Sequence, residues 1–145
     1  MDRTELTKEL ITNNRYLSLS TSDGKNVWIA PLYYVADDKW NLYFVSPIES
    51  LHAKHIIKNP NVAFCIFDST QEPGTGIGLQ ANAVASMIDS KDYPEVVVKY
   101  IKSLEPFNIS MEKYRVFKLL STKMFVTDQE AWEKEGVDKR VEVKF

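Results

Sequence analysis

The chain has 145 residues, enough for one domain with a substantial core, and residues 1–145 are expected to form a single unit. Lysine and arginine number 18 against 20 aspartates and glutamates, a net charge of −2, so neither nucleic acid nor an anionic membrane is an expected partner. One cysteine, Cys65 inside VAFCIF, excludes a disulfide framework, and no apolar stretch approaches a membrane span. The first ten residues, MDRTELTKEL, are polar and lack an apolar signal region, so a reducing cytoplasm is the expected setting.

Residues 3–13 carry Leu6, Leu10 and Ile11 at helical spacing. YLSLSTSDG then alternates, Leu17 and Leu19 against Ser18 and Ser20, and stops at Asp23-Gly24: a strand entering a hairpin turn. Residues 26–36, NVWIAPLYYVA, are apolar on both faces, and Pro31 marks them as an edge strand or a bulge. NLYFV (41–45) and NVAFCIF (61–67) read as further strands. TGIGLQANAVASMI (75–88) is a long strand with a small-residue face of Ala81, Ala83 and Ala85. Residues 90–105 read as a helix with Pro94 in its first turn. YRVFKLLSTKMFVTD returns to strand, QEAWEKEG is a short helix closed by Gly136, and KRVEVKF is a last strand. The fold class that follows is mainly β (α+β), a six- to seven-stranded antiparallel split barrel with short flanking helices. Strands apolar on both faces ask for a second cover, for which dimerisation is the preferred expectation.

Between the strands NLYFV and NVAFCIF lies SPIESLHAKHIIKNP (46–60), which holds both histidines. Ser46-Pro47-Ile48-Glu49 matches a helix start, with Ser46 as cap and Glu49 as the returning partner of a capping box; the helix could instead begin at Ser50. A helix start offers free N–H groups, and Ser50 and His52 could add hydrogen bonds to a phosphate. His52 and His55 lack a third ligand at useful spacing, so no metal is expected. GTGIGLQ (74–80) leads into a strand and not a helix, so it is no dinucleotide loop. Gln80 faces solvent or bonds a ring edge. Tyr33, Tyr34 and Tyr43 are the aromatics on which a base could stack, an arrangement the acidic balance disfavours. No nucleophile elbow or Cys–His pair occurs, so any chemistry is expected to come from a bound cofactor.

The order of IAPLYYV, LYFVS, ESLH, AKHIIKNPNV, VAFCIF, LQANAVASMI and YRVFKL resembles the pyridoxamine 5'-phosphate oxidase-like FMN-binding split-barrel family. The resemblance implies a homodimer with FMN at the interface. It implies phosphate-contacting positions at Ser46, Ser50 and His52, and ring contacts along the backbone of Ala30, Pro31 and Leu32. Gly78 stands where the family often has glutamine, with Gln80 two residues on, and Trp132 would cover the ring. The function implied is an FMN-binding oxidoreductase-like protein acting on an unidentified small molecule; the alternative is a non-catalytic flavin or haem carrier or sensor, with His52 or His55 as iron ligand. The family lysine of the phosphate grip is His52 here, the basic residue after the serine is Leu51, and an arginine of the earlier strand is replaced near Ile29. Fewer fixed cations imply a looser grip, dependent on pH through His52. His52→Lys is therefore expected to tighten FMN binding and flatten its pH dependence. RVEVKF lacks the Arg-x-His pattern of authentic pyridoxamine phosphate oxidases, so that activity is not expected.

Overall fold

A computed structural model describes residues 2–144. Helix α1 (Arg3–Asn13) begins at Asp2, whose carboxylate accepts the N–H groups of Thr4 at 2.7 Å and Glu5 at 3.1 Å. Leu6, Leu10 and Ile11 are buried, as their spacing requires. Strands β1 (Tyr16–Ser22) and β2 (Val27–Tyr33) form the expected hairpin. Asp23 holds its turn by accepting from Lys25 N–H at 2.9 Å and Asn26 N–H at 2.7 Å, and Gly24 takes φ +98°, where a side chain would be strained.

The apolar run 26–36 is not one strand. It breaks at Tyr34, which turns into the core and donates its hydroxyl to the Ile11 carbonyl at 2.6 Å. The two residues beyond the break, β3 (Val35–Ala36), pair with β4 (Leu42–Pro47) on the other side of the barrel. This break makes eight strands where seven runs were read. Helix α2 (Leu51–Lys58), β5 (Asn61–Phe67) and β6 (Gly78–Ile88) follow. The expected helix over 90–105 resolves into a 3-10 turn, Ser90–Asp92, and α3 (Glu95–Ser103); Pro94 is the residue before the helix, where its missing N–H and extended backbone cost nothing. The chain closes with β7 (Tyr114–Thr127), α4 (Gln129–Glu135), Gly136 at φ +64°, and β8 (Arg140–Val143). Met1, and Phe145 at the end of the last strand read from the sequence, lie outside the described residues.

All strand pairs are antiparallel, in the order β2-β1-β5-β6-β7-β4-β3, with β8 added to β7. The sheet curls until β2 approaches β4, and α2 packs against β1 and β2. Inside lie Leu17, Leu19, Leu42, Phe44, Phe64, Leu79, Phe117, Leu119 and Val126, joined by the small face Ala81, Ala83 and Ala85. Phe44 and Phe117, register partners, stack with centroids 5.0 Å apart.

The outer face of the sheet is treated differently at its two ends. Over β3, β4 and β7, helix α3 lays Val97 on Tyr43 and Val116, with Val35, Val45, Ile88 and Tyr93 around them. Over β2, β1, β5 and β6 no element lies on the face among the described residues. There Val27 and Ile29 are 77 and 63% exposed. The second apolar face read from the sequence is thus half covered from within the chain.

Candidate functional site

Ser46 is the fifth residue of β4, not a helix cap. Its side chain shares the inward face with Leu42 and Phe44 and is 1% exposed. The cap is Ser50: its Oγ accepts the N–H of Ala53 at 3.3 Å and donates to the Pro47 carbonyl at 2.9 Å. Glu49 stands before the helix and pairs with Lys54 at 3.4 Å in solvent. Of the two helix starts open in the sequence, the later one forms because β4 pairing with β7 extends through Pro47.

Ser46, Ser50 and His52 do come together. Ser46 Oγ lies 3.1 Å from Ser50 Oγ and 2.5 Å from His52 Nε2, and the imidazole meets the Phe44 ring edge-on at 6.0 Å. His52 is 9% exposed. Burial, with the nearby His55 adding to it, holds the His52 imidazole below its ordinary range, so it is neutral at neutral pH. His52 is therefore not the fixed cation of a phosphate grip. His55 is buried too, with Nδ1 3.0 Å from Thr21 Oγ1 on β1. Each histidine spends one ring nitrogen on a hydroxyl inside the barrel. Leu51, the first residue of the helix, is exposed. What the helix start offers outward is its free N–H groups and the partly exposed Ser50 hydroxyl. Among the described residues no three His, Cys, Asp or Glu side chains are grouped to hold a metal, and no helix is long and apolar enough to cross a membrane. Ser50→Ala removes the cap and is expected to cost about 1 kcal/mol of stability, measurable by urea unfolding.

The ring-contact positions sit on β2, at the sheet edge expected from Pro31. Ala30 and Leu32 turn their side chains inward, and Pro31 turns outward. Because β2 is an edge, part of its backbone has no strand partner. Register places Pro31, Ser18, Cys65, Gln80 and Phe125 in one row across β2, β1, β5, β6 and β7. At about 4.8 Å per strand, Gln80 lies roughly 14 Å from Pro31 on the same face. A groove of about 280 Å³ runs over this row, floored by Ser18, Ser20, Ala63 and Cys65 and bounded by Ile29, Gln80, Asn82 and Phe125. The groove exists because the outward side chains of β1 and β5 are small. The serine alternation was visible in the sequence as a strand; its meaning as a groove floor required knowing which strands are neighbours.

Gly78 is buried in β6 and passes its N–H to Thr127 Oγ1 at 3.0 Å. An added Cβ there would meet only ordinary contacts, so the glycines that the 68–77 loop needs are Gly74 and Gly76, both at positive φ. Trp132, on α4, borders a separate cavity with Pro73, Thr75 and Thr127, away from the groove and from Ser46. Of the tyrosines, Tyr34 and Tyr43 are buried. Tyr33 remains at the surface, stacked on Tyr100 at 4.9 Å and edge-on to Tyr16 at 5.6 Å.

The family model for pyridoxamine 5'-phosphate oxidase matches residues 4–134, and the chain belongs to that family. Solved structures that resemble it include the general stress protein 26 of Bacillus anthracis, at 18% identity and TM-score 0.68, covering 99% of this chain and 100% of that one. An FAD-binding protein of Mesorhizobium loti matches at 18% identity and TM-score 0.64, covering 86% and 92%. The haem storage protein HutZ of Vibrio cholerae matches at 20% identity and TM-score 0.68, covering 87% and 95%. At these identities the likeness is one of fold. No match was found among curated proteins.

Proposed function

We propose that the protein is a homodimeric FMN-binding member of its family that serves as an oxidoreductase for a small molecule. The observation that carries this reading is the bare half of the outer face: an edge strand with unpaired backbone groups beside a shallow groove of small side chains. A flat heteroaromatic ring suits such a place, because its edge can pair with β2 while its face rests on Ser18, Ala63 and Cys65. Ring contacts fall to the backbone of Ala30, Pro31 and Leu32, with Gln80 across the groove. The phosphate falls to Ser50 and the N–H groups at the start of α2, beside Leu51, so that the cofactor crosses the β2 edge where the barrel is split. Ser46 and His52 act here by holding Ser50, not by charge. Bound FMN supplies the hydride or electron chemistry; the chain positions it and excludes water. A second copy over Val27 and Ile29 covers the exposed apolar face, and because Trp132 of the same chain borders a separate cavity, the Trp132 proposed to reach the ring is the second copy's.

The residues fit the ring better than the phosphate, since no unpaired cation lies within the Ser46–Ser50–His52 cluster and Lys54 pairs with Glu49. Retention is accordingly expected to be loose. The test is the absorption spectrum of the purified protein before and after incubation with FMN, with the gel filtration run in FMN-containing buffer so that a loosely held cofactor stays at equilibrium. A flavin band above the buffer level, migrating with a species of twice the monomer mass, is expected. A protein peak with no flavin above the buffer level sinks the proposal, and a haem band without flavin transfers it to the carrier reading.

A further inference from the structure

A second groove, of about 260 Å³, continues the first: the two share Cys65 and Gln80. Its far end is built by the 76–78 backbone and by Arg140 of β8, which lies outside the span of the family match. The Arg140 guanidinium is used unevenly. Nη1 donates to the exposed Asp138 carboxylate at 2.5 Å, and Nη2 makes only a long contact, 3.4 Å, to the Gly76 carbonyl. Nε is buried and finds no hydrogen-bond partner among the described residues. A buried unpaired donor on a cation is costly, and its usual partner is an anion. The Nε–Nη2 edge presents two parallel N–H groups, the geometry that a carboxylate accepts side-on. Gln71, the other polar side chain at this end, is spent on both backbone groups of Ile77.

From this we infer that the trough binds a planar organic carboxylate, its carboxylate on the Nε–Nη2 edge of Arg140 and its ring lying toward Gln80 and Cys65. The inference uses no cofactor, and its test needs none, although the ring end shares Cys65 and Gln80 with the place proposed for the flavin. Arg140 is the single cation lining this end, already paired with Asp138, and Glu142 stands two residues along the same face of β8, so a monoanion is favoured over a dianion.

The test titrates the full-length protein with benzoate, and separately with benzamide, following the Arg140 Nε–H and the Gly78 and Gln80 amides by ¹H–¹⁵N NMR. Benzoate is expected to shift all three saturably, and benzamide to leave Nε–H in place. Arg140→Gln should weaken benzoate by at least about tenfold, the scale of a lost charge-assisted contact. Asp138→Asn leaves Arg140 intact, removes its competing carboxylate and should tighten benzoate severalfold. An Nε–H that does not respond to benzoate, equal responses to benzoate and benzamide, or Asp138→Asn failing to tighten binding overturns the assignment.

Discussion

Replacing Phe117 with alanine is expected to lower the unfolding free energy by about 3–5 kcal/mol, the largest effect of any single truncation considered for this barrel. Phe117 is fully buried on β7, opposite Phe44 in register and stacked on it with the rings 9° from parallel. It also pairs with Met87 of β6, so it sits where β4, β7 and β6 share one interior. The lost ring removes its transfer free energy and leaves a cavity, because Phe44 is held on its other side by His52 and the strands cannot close the gap. Phe117→Leu keeps most of the volume and should cost about 1.5 kcal/mol or less. Ile57→Ala, at an exposed helix position, is the control and should stay within about 0.5 kcal/mol. Urea unfolding with an unchanged slope measures all three. A Phe117→Ala loss no larger than that of Ile57→Ala would mean that the interior is not packed as described.

The barrel could be read from the sequence because its strands obey short-range rules. Leu17 and Leu19 alternate with serines, Asp23-Gly24 marks a hairpin, and Pro31 forecasts an edge, which β2 is. The break at Tyr34 was hidden. Nothing local distinguishes Tyr34 from Tyr33, and what selects it is a hydrogen bond to α1, 23 residues away. The helix start was ambiguous for a similar reason: Ser46-Pro47 and Ser50 are both sound caps, and pairing of β4 with β7 decided between them. The site was legible in its parts. Ser46, Ser50 and His52 are neighbours, as the resemblance implied, but the direction in which they face was not. A strand's alternation tells that Ser46 opposes Val45; only the closed barrel tells that the Ser46 side is the inside. The groove floor and Arg140 depend on six strands coming side by side, a relation no window of sequence contains.

That inward direction reverses the expectation for His52→Lys. A lysine at this position must either leave its ammonium beside Ser46 and Phe44 or drive its stem out past them. The variant is expected to lose about 2–4 kcal/mol of stability, since it gives up the Ser46 bond and buries a charge without a partner. His52→Gln keeps a group able to bond Ser46 and should lose only about 1 kcal/mol. The pH dependence follows with a definite sign. The unfolded imidazole takes up its proton near 6.5, whereas the folded one does so lower, chiefly through burial. Between those two values the unfolded state binds more protons, so stability rises with pH there. His52 therefore leaves stability at its full value above about 6.5 and lowers it progressively as the pH falls toward the folded value. Urea midpoints measured from pH 5 to pH 8 should fall on the acid side in the native protein, and His52→Gln should remove this residue's share of the fall. FMN affinity, if carried by Ser50 and helix N–H groups, should be flat from pH 7 to pH 8 in both. A His52→Lys protein of native stability with tighter FMN binding would show that position 52 reaches out of the barrel, and would restore the fixed cation that the family resemblance implies.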